Sequence, residues 1–385
     1  MFEYFPGNYV WNLSVNIALG MGAAMGEIDG ASRDLRSLAE QGDDAGTEAF
    51  FNAWRQAAER LIAMGEADAA LGRPFSAAAK HHRACAMLMT AERMQSPGFE
   101  PRRQAYARML ETFRRGVDLA GSPCEFIDIP WEGGSFPAIF APAPGANATT
   151  PCMVFCNGLD SVKEMVWLSG AARAFAERGV STLMIDQPGS GGALRLGGHA
   201  AVVESERWAG AALDCLLARP DVDPRRIGVA GWSLGGFFAP RAAAFEPRFA
   251  LCVAWGANHD WGELQQRRLR REGDRPVPHY WNHVQWVWGT EDLDAFMRLA
   301  PRVTLNGVLD RIRVPFLVTH GANDRQIPLE YAQRTYEQAV NSPHRELVVH
   351  TVETGGAEHV GADNLAIPRD LVADWVAEAF GDMQA

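Results

Sequence analysis

The segment from Ile227 to Gly235 constrains the fold of this chain more than any other. Residues 227–230 form a short apolar run, residues 231–235 read Gly-Trp-Ser-Leu-Gly, and residues 237–244 are compatible with a helix. A serine between glycines at a sharp strand-to-helix turn is pushed out of the sheet, because the small glycines let the backbone pack tightly there. The pattern predicts an α/β fold and makes Ser233 the candidate nucleophile.

An acid and a histidine follow the serine in the order that this arrangement requires. Residues 314–319 read as a buried strand that leads into a turn-rich segment containing Asp324. Residues 346–351 read as the last strand, and the loop after it carries His359 beside small residues. The order predicts a triad in which His359 takes the Ser233 proton while Asp324 fixes and stabilises the imidazole. Taken one at a time, each of these residues also fits an ordinary turn, cap or solvated loop.

Other acids compete with Asp324 for its place in the triad, and the donors that bind the oxyanion are still to be identified. The competing acids are Asp260, Asp310 and Glu358, of which Asp310 precedes its strand and Glu358 adjoins the histidine. Donors to a developing oxyanion are expected from the backbone N–H of Leu234 and from the loop after residues 152–155. Within that loop we favour Leu159, with Gly158 as the second choice.

Charge and cysteine usage exclude several classes of partner. The chain has 385 residues and a formal net charge of −11, so it lacks the basic surface that nucleic acid or an anionic membrane needs. It shows neither a basic leader followed by an apolar segment nor about 20 consecutive apolar residues, which predicts a cytoplasmic protein. Cys152 and Cys156 lie in a strand-like run without a second pair or a histidine cluster, so no metal site is expected.

The chain divides into a helical first part and an α/β second part. Residues 1–120 carry helical periodicity, as in Phe50, Trp54, Ala57 and Leu61, and predict an N-terminal helical cap. Residues 121–385 alternate strands and helices, which predicts a mostly parallel, doubly wound sheet with a leading antiparallel pair. The long interval at about 257–310 is rich in aromatic residues and predicts a second cap insertion.

Together with the segment from Asn157 to Glu164, these motifs resemble one branch of the α/β-hydrolases. The branch includes 2,6-dihydroxypseudooxynicotine hydrolase, the fermentation-respiration switch group and fungal polyketide-shortening hydrolases. The resemblance implies the triad of Ser233, Asp324 and His359, no cofactor, homodimerisation, and hydrolysis of a carbon–carbon bond beside a ketone. The chain departs from the branch at Cys156-Asn157, where a small residue is usual before Gly158.

Three functions follow as hypotheses. The first is a serine-type hydrolase of a small-molecule substrate, a β-diketone or polyketide-like aromatic ketone, with Glu263 or His259 protonating the leaving carbon. The second is a carboxylesterase or lactonase acting on a bulky apolar acyl group, and the third is a non-catalytic binding protein on the same scaffold. The residues expected to contact a substrate are Trp232, Trp255, His259, Glu263 and Asn157.

Overall fold

The computed structural model describes residues 1–145 and 149–383, and these fall into two compact units. Unit 1 comprises Met1–Pro123 and Asp274–His283, and unit 2 comprises Cys124–Gly273 and Val284–Ala385. The predicted insertion at about 257–310 is therefore divided: a short central piece clusters with the N-terminal helices, and the rest belongs to unit 2.

Unit 1 is built from helices. Phe50 and Trp54 lie one helical turn apart, are fully buried, and stack with their ring centroids 4.8 Å apart. This spacing of three and four residues places the large apolar side chains on one face, which the neighbouring helices cover. The helices are α1 (Tyr9–Gly20), α2 (Met25–Ser32), α3 (Arg36–Ala39), α4 (Thr47–Ala70), α5 (Pro74–Arg93) and α6 (Pro101–Ala120), with a 3-10 turn at Arg33–Leu35.

The described part of unit 2 contains one eight-stranded sheet of order β1-β2-β4-β3-β5-β6-β7-β8. The pairs β1–β2 and β2–β4 are antiparallel, and every later pair is parallel. The predicted mostly parallel sheet with a leading antiparallel pair is confirmed. The strands are β1 (Glu125–Trp131), β2 (Gly134–Ala141), β3 (Thr150–Cys156), β4 (Ser181–Ile185), β5 (Val222–Trp232), β6 (Cys252–Trp255), β7 (Phe316–Gly321) and β8 (Arg345–His350).

Helices connect these strands and cover the sheet. The central strands β3, β4, β6 and β7 are buried at nearly every residue, as expected for a parallel sheet with helices on both faces. Short 3-10 turns lie at Ala300–Arg302, Leu309–Arg311 and His359–Gly361. The helices are α7 (Lys163–Leu168), α8 (Ala171–Ala176), α9 (Gly191–Arg195), α10 (Ser205–Leu217), α11 (Gly235–Phe245), α12 (Trp261–Leu269), α13 (Tyr280–Trp288), which begins in unit 1, α14 (Leu293–Leu299), α15 (Leu329–Gln338) and α16 (Ala366–Asp382).

The strand order decides where the loops of interest meet. Because β5 lies between β3 and β6, the loops that leave the carboxyl ends of these three parallel strands share one edge of the sheet. Within residues 1–145 and 149–383, no helix is both long and apolar enough to cross a membrane.

Candidate active site

Ser233 occupies a strained turn between β5 and α11. Its φ angle is +58°, a left-handed conformation that non-glycine residues rarely adopt. The Ser233 N–H donates to the carbonyl oxygen of Trp255 at 2.9 Å, and its carbonyl oxygen accepts from Gly236 N–H at 2.8 Å. Both peptide groups are thereby held by neighbouring backbone, which keeps the serine in this otherwise unfavourable conformation.

The glycines around the serine are required by close backbone packing. A Cβ atom on Gly231 would lie 2.4 Å from the Cys156 sulfur and 2.5 Å from the carbonyl oxygen of Gly235. A Cβ atom on Gly236 would lie 2.4 Å from the carbonyl oxygen of Gly256. These distances are far below van der Waals contact, so the turn can approach β3 and the loop after β6 only without side chains.

The structure brings Ser233, His359 and Asp324 together from three loops. The Nε2 atom of His359 lies 2.9 Å from Ser233 Oγ, and its Nδ1 atom lies 2.8 Å from Asp324 Oδ2. Because an ionised carboxylate can only accept, Nδ1 carries the proton and Nε2 is left to accept the serine proton. The three side chains therefore stand in the relation of nucleophile, base and orienting acid.

The surroundings of Asp324 keep its carboxylate ionised. Burial by itself would raise the pKa of Asp324, but the nearby His359 and His320 and the bond from the backbone N–H of Ile327 lower that pKa below its ordinary value. Asp324 Oδ1 accepts from the backbone N–H groups of Gln326 at 2.7 Å and Ile327 at 3.0 Å. The side chain of Asp324 is fully buried, so its orientation is fixed by these bonds.

Residues that sequence reasoning missed hold the histidine loop. Asp363 accepts from the backbone N–H groups of Gly356, Ala357 and Glu358 at 2.9–3.1 Å. Val360 has a φ angle of +48°, and its carbonyl oxygen accepts from Trp255 Nε1 at 3.0 Å. An acid four residues after the histidine, in a loop of small residues, is the sequence signal that could have identified Asp363.

The loop after β3 lies against the nucleophile. A Cβ atom on Gly158 would lie 3.4 Å from Ser233 Oγ, so the Gly158 backbone faces the hydroxyl directly. The Gly158 N–H already donates to Ser161 Oγ at 2.8 Å. Of the two residues expected to supply the second oxyanion donor, Gly158 therefore has its N–H bonded to Ser161, and the choice of Leu159 stays a prediction. Leu234, the other expected donor, directly precedes α11.

Three of the residues expected to contact substrate support the site from within the protein. Trp232 is buried, donates from Nε1 to Ser161 Oγ at 3.0 Å, and packs edge-to-face on Trp255 and Phe155. Asn157 is fully buried and its side chain bonds to backbone and side-chain partners on the same edge of the sheet. Their role as direct substrate contacts stays a prediction.

The other two expected contacts, His259 and Glu263, are bonded to side chains within the protein. His259 is fully buried, with Nδ1 3.1 Å from Thr335 Oγ1 and Nε2 3.0 Å from Asn306 Oδ1. Glu263 is 43% exposed and accepts from Arg334 at 3.2 Å. Both ring nitrogens of His259 and one carboxylate oxygen of Glu263 are thus bonded within the protein, and a role of either group at a leaving carbon stays a prediction.

Among the described residues, no group of three or more histidine, cysteine, aspartate or glutamate side chains could hold a metal ion. Cys152 and Cys156 are fully buried, and burial raises the pKa of both thiols. They are therefore protonated core side chains at neutral pH rather than thiolate ligands.

Comparison with known proteins identifies the family. Residues 167–382, which include Ser233, Asp324 and His359, match the model of the prolyl oligopeptidase family. The chain belongs to this family. It is 30% identical to 2,6-dihydropseudooxynicotine hydrolase of Paenarthrobacter nicotinovorans over 86% of this chain and 82% of that protein. It is 25% identical to 20-hydroxy-prefusarin hydrolase FUS2 of Gibberella moniliformis over 88% of this chain and 89% of that protein.

Solved structures give the same fold over nearly the whole chain. The crystal structure of 2,6-dihydroxy-pseudo-oxynicotine hydrolase superposes with a TM-score of 0.76, covers 95% of each chain, and is 24% identical. The structure of AbyA5 superposes with a TM-score of 0.65 over 98% of this chain and 100% of its own. The predicted α/β-hydrolase fold is confirmed, and the protein is a hydrolase.

Proposed function

We propose that the protein is a serine hydrolase in which Ser233 is the nucleophile, His359 the general base and Asp324 the orienting acid. The observation that carries this proposal is the unbroken chain of contacts from Ser233 Oγ to His359 Nε2 and from His359 Nδ1 to Asp324 Oδ2. The ionised state of Asp324 supports it, because a carboxylate both selects the active imidazole tautomer and stabilises the imidazolium that forms.

The proposed reaction begins with attack of Ser233 Oγ on a carbonyl carbon while His359 takes the hydroxyl proton. The carbonyl oxygen becomes an oxyanion, which the backbone N–H groups of Leu234 and Leu159 stabilise. When the tetrahedral intermediate collapses, the leaving group takes the electron pair and the proton from His359, and the acyl group stays on Ser233. Water, deprotonated by His359, then attacks the acyl carbon and releases a carboxylic acid and free Ser233.

Cleavage of a carbon–carbon bond next to a ketone is the finer part of this proposal. In a β-diketone the departing carbon leaves as an enolate, because the second carbonyl accepts the electron pair, and the imidazolium of His359 supplies the proton. The similarity to the α/β-hydrolase branch described above supports this bond type. The substrate class that we propose is a β-diketone or polyketide-like aromatic ketone.

Hydrolysis of an ester or lactone is the alternative, and one observation favours it. His259 and Glu263, the expected donors to a leaving carbon, are occupied by Thr335, Asn306 and Arg334. An alkoxide leaves with its charge on the atom that His359 protonates, whereas an enolate carries much of its charge on the second carbonyl oxygen, where a further donor would be needed. The two candidate functions therefore differ in the bond that is cleaved, a carbon–carbon bond or an ester bond.

Covalent labelling and a paired substrate panel test the proposal. We expect a fluorophosphonate to label Ser233, and Ser233→Ala to abolish labelling and turnover while the thermal unfolding curve is retained. The matched control is Ser37→Ala, because Ser37 lies on the exposed surface of α3 in the other unit. An unlabelled Ser233 in folded protein would contradict the serine mechanism. Fast turnover of aryl esters without diketone cleavage would establish the ester alternative.

A further inference from the structure

Asn157, beside the predicted oxyanion donors, has all of its polar groups bonded within the protein. Its backbone N–H and carbonyl oxygen pair with the side-chain amide of Gln187 at 3.0 and 2.9 Å. Its Nδ2 donates to the carbonyl oxygen of Ile185 and to Asp186 Oδ1 at 2.8 and 3.1 Å. Its Oδ1 accepts from Ser161 Oγ at 3.0 Å. The start of the loop after β3 is therefore fixed to the loop after β4.

Asp186 is the centre of these contacts. The side chain is fully buried and accepts from Asn157 Nδ2, from both the backbone N–H and Nζ of Lys163, and from the backbone N–H of Gly192. A Cβ atom on Gly191 would lie 1.9 Å from the Asp186 carboxyl carbon, so the chain wraps closely around this group. Burial lowers the pKa of Lys163, but the nearby Asp186 and Glu164 more than offset that effect and hold it above its ordinary value.

Ser161 connects this buried group to the nucleophile. Its hydroxyl accepts from Gly158 N–H at 2.8 Å and from Trp232 Nε1 at 3.0 Å, and it donates to Asn157 Oδ1. A hydroxyl has one proton and two lone pairs, so its capacity is fully used. Trp232 immediately precedes Ser233, and Gly158 packs against the Ser233 hydroxyl. Ser161 therefore connects the loop after β3 to the turn that carries Ser233.

We propose that Ser161 and Asp186 are positioning residues that set the distance between the loop after β3 and Ser233. We call Ser161, Asn157, Asp186 and Lys163 the Asp186 network. Ser161 binds the Gly158 N–H and the Trp232 indole at once, and so fixes how closely the Gly158 backbone lies to the Ser233 hydroxyl. The inference rests on the proposed serine mechanism, because it concerns where the oxyanion of that mechanism is bound.

The energetics of buried charge support a geometric role. A buried ion pair adds little net stability, since the desolvation of both ions offsets their attraction. Lys163 and Asp186 are each at most 4% exposed, so the pair is fully subject to that cost. The pair instead fixes the positions of the segments that Asp186 bonds to, which contain Asn157, Lys163 and Gly192. Such positions matter because a shift of about 1 Å in a catalytic group can cost about 100-fold in rate.

The test compares Ser161→Ala with Ser169→Ala. Removing the Ser161 hydroxyl frees the Gly158 N–H, and we expect the rate of fluorophosphonate labelling of Ser233 and kcat for an aryl ester to fall about 10- to 100-fold. KM should stay nearly constant, because an oxyanion donor acts in the transition state. Ser169 is buried and donates from Oγ to the carbonyl oxygen of Val166 at 2.7 Å, outside the Asp186 network, so Ser169→Ala is the matched control and should label at the wild-type rate. Ser161→Thr keeps the hydroxyl and should restore labelling.

Each outcome decides between the proposals. Slow labelling of Ser161→Ala, with normal labelling of Ser169→Ala and restored labelling of Ser161→Thr, supports the positioning role. Labelling of Ser161→Ala at the wild-type rate overturns it while leaving the serine mechanism intact, and so does an equal loss in Ser169→Ala, which would reflect the removal of any buried hydroxyl in this region. If the wild-type protein is not labelled, the serine mechanism fails and this inference fails with it. Urea unfolding of each variant verifies that it is folded.

Discussion

Replacing Asp324 with Asn should inactivate the protein by forcing the wrong histidine tautomer. In the wild type, Asp324 Oδ1 accepts two backbone N–H groups and Oδ2 accepts the proton on His359 Nδ1. In Asp324→Asn the amide oxygen must stay toward Gln326 and Ile327, because the reverse orientation would point the NH₂ group at two donors. The NH₂ group then faces His359 Nδ1, which must accept, so the imidazole proton moves to Nε2 and faces Ser233.

The size of the loss follows from two contributions. Turning the amide to recover the active tautomer forfeits two neutral hydrogen bonds, which costs about 2 kcal/mol. Loss of the negative charge removes the attraction to the imidazolium, about 4 kcal/mol for charges 4 Å apart at an effective dielectric constant of 20. Together these amount to about 6 kcal/mol, or roughly a 10,000-fold decrease in kcat at 1.4 kcal/mol per factor of ten.

The assay is the steady-state hydrolysis of an aryl ester, with fluorophosphonate labelling as a second measure. Asp310→Asn is the matched control, since Asp310 is exposed and was a competing candidate for the acid. We expect the control to retain full activity and Asp324→Asn to retain its fold by circular dichroism. If folded Asp324→Asn kept more than about a tenth of the wild-type kcat, the tautomer argument would be refuted.

Three further predictions concern activity and stability. Trp255→Phe removes the indole donor to the Val360 carbonyl oxygen, a bond of about 1 kcal/mol, and should lower kcat/KM about fivefold in the same ester assay. Asn258 is 3% exposed and its Oδ1 has no hydrogen-bond partner among the described residues, so Asn258→Leu should raise the free energy of urea unfolding by about 1–2 kcal/mol. Burial lowers the pKa of His259 and His320, so below about pH 6.5 the unfolded chain binds protons that the folded chain does not. The free energy of unfolding should therefore fall as the pH drops from about 6.5 through the folded pKa values, by at most about 1.4 kcal/mol per pH unit for each histidine, and a constant value between pH 7 and 5 would contradict this.

Local sequence patterns were sufficient to predict the helices and strands and the order in which the site residues occur along the chain. The turn around Ser233 could be predicted because its glycines are required by backbone contacts within a few residues and with adjoining strands. The position of Asp324 and His359 followed from strand-like runs that end just before them, since parallel strands present their carboxyl ends at one edge.

What only the tertiary structure decided is which side chains pair across distant segments. His259 bonds to Thr335, 76 residues away, and Asn157 bonds to Asp186, 29 residues away. Such pairs depend on which strands are neighbours, and the order β4-β3-β5 is set by the packing of the whole sheet rather than by any local pattern. In the same way, only the fold brings the indole of Trp232 to Ser161, 71 residues before it in the chain, where the hydroxyl also accepts from the Gly158 N–H.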